Sequence, residues 1–289
     1  TPTTSTTCGF FAGSISSGKH TLPVFSFPEP AAAALATAVR YSAIRASAPL
    51  PVGRPEGVDL AAARRLVAAA VRGGVEWLPP ADIATLLSAY GIALSPQRVV
   101  RGVADAAAAA SELGYPLAVK LATPGIHKSD TGGVRLDITD EAQLREVAAE
   151  LGGTSEQPLL LQPMATAGTE VIVGGVQHDQ FGPVVMVGAG GVLADLLSDR
   201  TFRLAPLAVS EAEAMLAQLR LAKLLDGFRG RPVVSRAALA DVIVRVATLV
   251  DDLPEVAELD LNPLICSASG LSAVDARIRL APAAQRPDP

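Results

Sequence analysis

Apolar residues recur along the chain with two different periods, and this pattern predicts interleaved helices and strands. Uninterrupted runs rich in Ala, Leu and Val predict helices at about residues 30–46, 59–72, 82–90, 105–113, 140–151 and 236–250. A further helix is predicted to open at Ser210, because Ser210-Glu-Ala-Glu213 fits a capping box. Short apolar runs predict extended segments at 22–29, 99–103, 116–121, 159–162, 169–177, 183–187, 256–261 and 271–274. This alternation favours an α/β (α+β) architecture in two lobes.

Proline, glycine and small polar residues mark the breaks between these segments. Residues 1–19 are rich in Thr, Ser and Gly, and we interpret them as a loop or a cut end. Three prolines and two glycines between residues 48 and 57 are typical of a linker. The breaks divide the chain into five predicted parts: a start at 1–47, a linker with a helix at 48–78, a first lobe at 79–158, a second lobe at 159–281 and a tail at 282–289.

Composition excludes several classes of function. The chain has 289 residues, of which 49% are hydrophobic and 18% charged, and its net charge is −5. An acidic chain of this kind offers no basic field for nucleic acid or for an anionic membrane. Cys8 and Cys266 lie too far apart for a metal-ligand spacing, and no apolar run is long enough to span a bilayer. We therefore expect a cytoplasmic globular protein.

The segment from residue 120 to 135, KLATPGIHKSDTGGVR, is the most informative stretch. It holds Lys120 and Lys128, two of only four lysines in the chain, together with three glycines. A lysine is a compact charge suited to a phosphate oxygen, and glycines let backbone N–H groups face an anion. The segment therefore predicts a phosphate-binding loop. The alternative interpretation is a solvated hairpin that carries ordinary surface charge.

His127 lies inside this segment, beside Lys128 and Asp130. A histidine next to a cation and a carboxylate is a candidate nucleophile for accepting a phosphoryl group. An exposed loop histidine without a chemical role is the alternative. Both interpretations stay open on the residues alone.

Two weaker constellations lie in the second half of the chain. Gln162 and Met164 end one predicted strand, and Glu170 lies on the next, which suits adenine and ribose hydroxyls or, alternatively, an ordinary strand interior. Asn262 and Asp275 lie near the ends of two predicted strands. Paired oxygen ligands of this kind suit Mg²⁺, although Asn and Asp are also common where strands end.

Taken together, these motifs resemble a known family. The strongest stretches are YPLAVKLATPGIHKSDTGGVRL, LLQPMATAGTEVIVGG, and ELDLNPL followed by AVDARI. Over about residues 79–281 they resemble the ATP-grasp region of the NDP-forming acyl-CoA synthetases. These enzymes are also called ADP-forming acetate–CoA ligases, and they are relatives of the succinyl-CoA synthetase β subunit. The stretch TLPVFSFPEPAAAALATAVRYSAIR is similar to the last strand and helix of the flavodoxin-like ligase domain that precedes it in fused members.

The resemblance implies a two-lobed ATP-grasp fold that binds ATP or ADP with Mg²⁺. The residues that it implies for the nucleotide are Lys120, His127, Lys128, Ser129, Gln162, Met164 and Glu170. Of these, Lys120 would hold phosphates, and His127 and Lys128 would take part in phosphoryl transfer. Asn262 and Asp275 would bind Mg²⁺.

The family reaction interconverts acyl-CoA, ADP and phosphate with acid, CoA and ATP through an acyl phosphate and a phosphohistidine. The sequence contains no counterpart of the CoA-binding domain, so we expect a partner domain or subunit and assembly into homo- or hetero-oligomers. The alternative is a regulatory ATP-grasp module fused to a GNAT-type protein acetyltransferase, with little ligase activity. The presence of Lys120, His127, Asn262 and Asp275 favours a working site.

Overall fold

The computed structural model describes residues 13–17, 20–46, 52–122, 132–152, 157–191, 199–230, 233–268 and 270–283. By its internal contacts, the chain divides into a first unit at residues 1–51 and a second at residues 52–289. Among the described helices, none combines the length and the apolar character that crossing a bilayer requires.

The first unit contains a hairpin and a helix. Strand β1 (Gly13–Ser17) pairs antiparallel with β2 (His20–Val24), and α1 spans Pro28–Ala46. The predicted helix at 30–46 is confirmed. The interpretation of residues 1–19 as loop is wrong for β1, because its Ser-rich sequence carries little strand signal and is ordered by pairing with β2.

The second unit is built from helices and strands that interleave along the chain. The helices of its described residues are α2 (Leu60–Arg72), α3 (Pro80–Ala89), α4 (Val103–Leu113), α5 (Glu141–Glu150), α6 (Val209–Gln218), α7 (Ala222–Leu225) and α8 (Arg236–Asp252). The strands are β3 (Arg98–Val100), β4 (Leu117–Leu121), β5 (Val134–Ile138), β6 (Leu159–Pro163), β7 (Thr169–His178), β8 (Gly182–Ala189), β9 (Arg200–Leu204), β10 (Val256–Ser267), β11 (Gly270–Ala273) and β12 (Ala276–Leu280).

The strands form two antiparallel sheets. The small sheet has the order β3-β6-β4-β5, and it shares a buried core with α4 and α5. The large sheet has the order β11-β10-β7-β8-β9. Its longest strand, β10, also pairs with β12, so that one half of β10 contacts β11 and the other half contacts β12.

Helices cover one face of the large sheet. Alternate residues of its strands, such as Val185, Val187 and Leu259, are buried in one apolar core with α2, α3, α6, α7 and α8. Because side chains alternate across a strand, the residues between them face the other side of the sheet. That second face is the one that takes part in the site described below.

Two boundaries differ from the sequence-based expectation. We expected the second lobe to begin at residue 159, but strand Leu159–Pro163 pairs with β3 and β4 in the small sheet. We placed helix α3 in the first lobe, yet its Leu86 and Leu87 are buried in the core of the large sheet. Both errors arise because strand pairing and helix packing are long-range contacts that local pattern does not specify.

The N-cap of α6 is Ala208, two residues before the expected Ser210. The capping box was expected between Ser210 and Glu213. Instead the helix begins at Val209, and the carboxylate of Glu211 accepts a hydrogen bond of 2.9 Å from the Ala208 N–H. Glu211 therefore supplies the acceptor for the N–H at the start of the helix, the role that the sequence assigned to Glu213.

Two ionisable groups are buried in the core of the second unit. Burial raises the pKa of the Cys266 thiol to about 12. Burial and the neighbouring Asp252 carboxylate raise the pKa of Tyr90, whose hydroxyl donates to Asp252 Oδ2 at 3.0 Å. Arg54 also pairs with Asp252. The neutral thiol and the neutral phenol are therefore the forms that the folded chain favours.

We predict that the free energy of unfolding falls as the pH rises from about 8.5 towards 12, because the Cys266 thiol ionises in the unfolded chain at about pH 8.5 but stays neutral in the folded chain. Cys266→Ala should make this fall shallower. Urea unfolding followed by circular dichroism at several alkaline pH values measures the slope. Val256→Ala, an apolar truncation on the same strand, should lower stability at every pH without changing the slope. An unchanged slope in Cys266→Ala would contradict the assignment.

Candidate functional site

A cleft of about 520 Å³ has walls that come from both sheets of the second unit. One wall is formed by β4, β5 and β6, and the other by β7, β10, β12 and the segment between β11 and β12. The chain passes from one wall to the other at residues 163–168, which also line the cleft and which we call the hinge. Six residues that the sequence singled out line this cleft: Lys120, Gln162, Met164, Glu170, Asn262 and Asp275.

Lys120 is a buried lysine near the end of an apolar strand. Strand β4 lies between β5 and β6, so that its residues are shielded along both edges, and Lys120 is only 6% exposed. A buried ammonium is costly unless it is hydrogen-bonded. The Nζ atom donates to Gln162 Oε1 at 2.9 Å and to the carbonyl oxygen of Val274 at 3.3 Å. The small sheet supplies the cation, and the large sheet supplies one of its acceptors.

Gln162 completes this arrangement. Its side chain is fully buried, and its Nε2 donates to the same Val274 carbonyl oxygen at 3.1 Å. Because its Oε1 already accepts from Lys120, both polar groups of the amide are engaged within the protein. The expected contact of this amide with adenine competes with these two hydrogen bonds. Gln162 Oε1 holds the Lys120 ammonium, and the contact of Gln162 with adenine stays a prediction.

Met164 lies where the hinge leaves the small sheet. Its backbone N–H donates to the Pro116 carbonyl oxygen at 2.9 Å, which fastens the start of the hinge to the segment before β4. The half-buried Met164 side chain faces the cleft. An apolar wall at this position suits the flat face of a nucleobase.

Glu170 lies on β7, with its exposed side chain against a glycine turn that follows β8. The Gly190 N–H donates to the Glu170 carbonyl oxygen at 2.9 Å. Gly191 has a φ of +56°, and a Cβ atom placed there would lie 1.9 Å from Glu170 Oε2. Any other residue at 191 would therefore displace the carboxylate. The turn explains why a Gly-Gly pair follows this strand.

Asn262 and Asp275 meet at an irregularity of the large sheet. The pairing of β10 with β7 shifts register between Leu261 and Leu264, and Asp275 lies in the break between β11 and β12. The Asn262 N–H donates to the Asp275 carbonyl oxygen at 3.1 Å. We expected Asn262 near the end of a strand, but it lies inside the longer β10. The shift in register nevertheless places Asn262 beside Asp275, the neighbour that the sequence suggested.

This pair fits the way in which proteins hold Mg²⁺. An amide oxygen and a carboxylate line the same cleft, and oxygen ligands from one or two side chains, with phosphates and water, are the usual set for this ion. Within the described part of the chain, no group of three or more His, Cys, Asp or Glu side chains is placed to hold a metal. One amide and one carboxylate match the usual Mg²⁺ set, in which phosphate oxygens and water supply the other ligands.

His127, Lys128 and Ser129 lie outside the described residues. The flanking strands show where their segment is attached. Lys120 pairs with Val134 across β4 and β5, so the connection begins and ends beside the cleft. The roles expected for these three residues stay predictions.

Sequence reasoning missed two charged residues of the cleft, Asp260 and Arg277. A signal for both was present. Asp260 lies two residues before Asn262, and Arg277 lies two residues after Asp275, so the alternation of side chains along a strand places them on the same face. In the sheet, Asp260 and Arg277 are paired across β10 and β12.

Comparisons with known proteins agree with this geometry. Residues 69–280 match the sequence model of a family described as "ATP-grasp domain". Acetate–CoA ligase [ADP-forming] I of Archaeoglobus fulgidus is 34% identical over 272 residues, which cover 90% of this chain and 39% of that protein. The β subunit of acetate–CoA ligase [ADP-forming] I of Pyrococcus furiosus is 37% identical over 204 residues, which cover 68% of this chain and 88% of the subunit.

A solved structure shows the same likeness. The dinucleotide-forming acetyl-coenzyme A synthetase 1 of Ca. Korarchaeum cryptofilum, in complex with coenzyme A and Mg-AMPPCP, matches with a TM-score of 0.67 and 36% identity. The match covers 76% of this chain and 100% of that chain, and in that complex a phosphohistidine segment points towards the nucleotide binding site. The present chain spans about two fifths of the length of the Archaeoglobus relative.

We predict that Lys120 and Gln162 are energetically coupled. Gln162→Leu should lower the free energy of unfolding by about 1–3 kcal/mol, because it leaves the buried ammonium with one acceptor fewer. Lys120→Met combined with Gln162→Leu should cost less than the sum of the single changes, as measured by urea unfolding. Lys120→Met combined with Arg145→Ala, an exposed change on α5, should be additive. Additivity in the first pair would contradict the coupling.

Proposed function

Because the chain belongs to the ATP-grasp family, within the ADP-forming acyl-CoA synthetases, we propose that it is the nucleotide-binding part of an acid–thiol ligase. The reaction proposed for the whole enzyme converts acyl-CoA, ADP and phosphate into acid, CoA and ATP, and it is reversible. The observation that carries the proposal is the convergence of Lys120, Asn262 and Asp275 on one cleft. A buried cation and two oxygen ligands are the groups that phosphoryl transfer to and from a nucleotide requires.

Lys120 and Gln162 would act together on the phosphates. The Lys120 ammonium neutralises phosphate charge. The Gln162 amide accepts a hydrogen bond from this ammonium and donates one to the Val274 carbonyl oxygen, so it restricts rotation of the Lys120 side chain. A donor that is already oriented needs no reorganisation when charge develops. We therefore assign Gln162 to the orientation of Lys120 rather than to the base.

The hinge and β7 would hold the nucleoside. The Met164 side chain lies in the cleft at the start of the hinge, where an adenine can rest against it. Glu170, held against Gly191, offers carboxylate oxygens to ribose hydroxyls. Both assignments are proposals that the placement of these residues supports.

Asn262 and Asp275 would hold Mg²⁺. When bound, the ion would neutralise charge on the phosphate oxygens. The protein's part is to keep the Asn262 amide and the Asp275 carboxylate side by side, which the hydrogen bond between their backbones does. Asp260, two residues along β10, adds a further carboxylate to the same wall.

His127, Lys128 and Ser129 would complete the site from the connection between β4 and β5. We propose that His127 accepts and returns the transferred phosphoryl group, and that Lys128 and Ser129 bind it. The resemblance of the HKSD motif to the family supports this role.

The acyl and CoA chemistry would reside on a partner domain or subunit. The similarity to a protein named as a β subunit supports a partner of this kind. A ligase that draws on nucleotide and CoA pools would work in the cytoplasm. A separate partner subunit would make the enzyme a hetero-oligomer, whereas a fused partner domain would leave homo-oligomers as the form of assembly.

Calorimetric titration of the purified chain with ADP, with and without Mg²⁺, tests the nucleotide site. We expect Mg²⁺-dependent binding that Lys120→Ala weakens by about tenfold or more, since hydrogen bonds to charged groups contribute about 1.5–3 kcal/mol. Asp275→Ala should reduce the effect of Mg²⁺ on binding.

Lys223→Ala is the matched control, because it removes an exposed lysine of α7 that does not line the cleft. Thermal unfolding of each variant separates lost binding from lost folding. The proposal is wrong if the unaltered chain binds no nucleotide, or if Lys120→Ala and Lys223→Ala bind alike.

A second prediction concerns the turn after β8. Gly191→Ala and Gly182→Ala should each cost about 1–2 kcal/mol of stability, because both glycines have a left-handed φ. Only Gly191→Ala should weaken ADP and adenosine binding, because an added methyl group displaces Glu170, whereas nothing lies within 4 Å of a Cβ at Gly182. Calorimetry on both variants measures the difference. Equal affinities in the two variants would contradict the role of Glu170.

A further inference from the structure

Strand β12 carries two arginines on the face of the large sheet that is not covered by helices. Ile278 and Leu280 are buried in the helix-covered core, so the alternation along the strand turns Arg277 and Arg279 to the opposite face. Arg277 lines the cleft, whereas Arg279 does not. The two arginines therefore share a strand and a face but differ in their access to the cleft.

Arg277 contacts Trp77, the only tryptophan of the chain. Its guanidinium lies over the Trp77 ring, with Cζ 4.9 Å from the ring centroid. A guanidinium above an aromatic ring keeps N–H groups that can donate to oxygen acceptors. The guanidinium fork suits two oxygens of a phosphoryl group.

Charges follow one another along the short segment that ends at Arg277. The Lys120 ammonium contacts the carbonyl oxygen of Val274, Asp275 comes next, and Arg277 follows two residues later on the same wall. Gln162, which holds Lys120, directly precedes the hinge with Met164. Along these contacts, the order from the hinge is therefore Met164, which would face the base, then Lys120, the metal ligand Asp275 and finally Arg277.

A nucleotide bound with its base at the hinge would extend its phosphates along this order. Its inner phosphates would meet Lys120, the metal ligands would follow, and the terminal phosphate would reach Arg277. We propose that Arg277, positioned by Trp77, binds the terminal phosphoryl group of a nucleoside triphosphate and so discriminates triphosphate from diphosphate. This inference rests on the proposed function.

The test is calorimetric titration of the full chain with Mg-ADP and with the Mg²⁺ complex of the β,γ-methylene analogue of ATP, which is not turned over. Arg277→Met should weaken binding of the analogue by about 10–100-fold, the effect expected for lost hydrogen bonds to a charged group. It should weaken ADP binding by less than about threefold. Trp77→Leu should weaken the analogue selectively, but less.

Arg279→Met is the matched control, because it removes the same charge from the same face of β12. Arg279 Nε lies 3.4 Å from Glu258 Oε2, outside the cleft. We expect this variant to bind both ligands as the unaltered chain does. Arg277→Lys keeps the charge but loses the planar fork, and should also weaken the analogue selectively. It provides the test if Arg277→Met does not fold.

Two results would overturn the inference alone. In the first, ADP binding still depends on Lys120, but Arg277→Met leaves the ratio of the two affinities unchanged. If Arg277→Met does not fold, the same result in Arg277→Lys has the same meaning. In the second, Arg279→Met changes that ratio as much as Arg277→Met does. If the unaltered chain binds neither ligand, the proposed function is overturned, and this inference falls with it.

Discussion

The carbonyl oxygen of Val274 joins the two sheets by buried hydrogen bonds, and the cleft depends on this polar contact. Lys120 and Gln162 both donate to this atom from the small sheet, while Val274 itself belongs to the segment that carries Asp275. Buried polar groups of this kind are stable only as a complete set, because each lost partner leaves another group without its hydrogen bond. The same contact that orients the cation therefore also fixes the distance between the cation and the metal ligands.

The topology of the large sheet supplies the rest of the site. Strand β10 is long enough to pair with β11 along one half and with β12 along the other. The junction between these two partners lies opposite the register shift in β10, which places Asp275 beside Asn262. An irregularity in the ladder, rather than a strand end, thus creates the pair of oxygen ligands.

Local sequence pattern was enough to predict most helices and strands of the second unit, and to single out Lys120, Asn262 and Asp275. A lysine in an apolar strand and polar residues at breaks in periodicity are local signals. Contacts between distant parts of the chain determine which sheet β6 joins and which atoms Gln162 contacts. No local pattern encodes contacts of this kind. Arg277 is a different case, since it lies within the AVDARI stretch and its alternation with Asp275 is visible in the sequence.

The charges of the cleft also explain why a metal ion belongs to the proposed binding. Among its described lining residues, the carboxylates of Glu170, Asp260 and Asp275 outnumber the two cations, Lys120 and Arg277. A polyphosphate brought into such a cleft alone would face more negative than positive charge on its walls. Mg²⁺ held by Asn262 and Asp275 would offset this negative charge, and the same wall would then attract a polyphosphate. Metal and nucleotide should therefore enter the cleft together, each making the binding of the other more favourable.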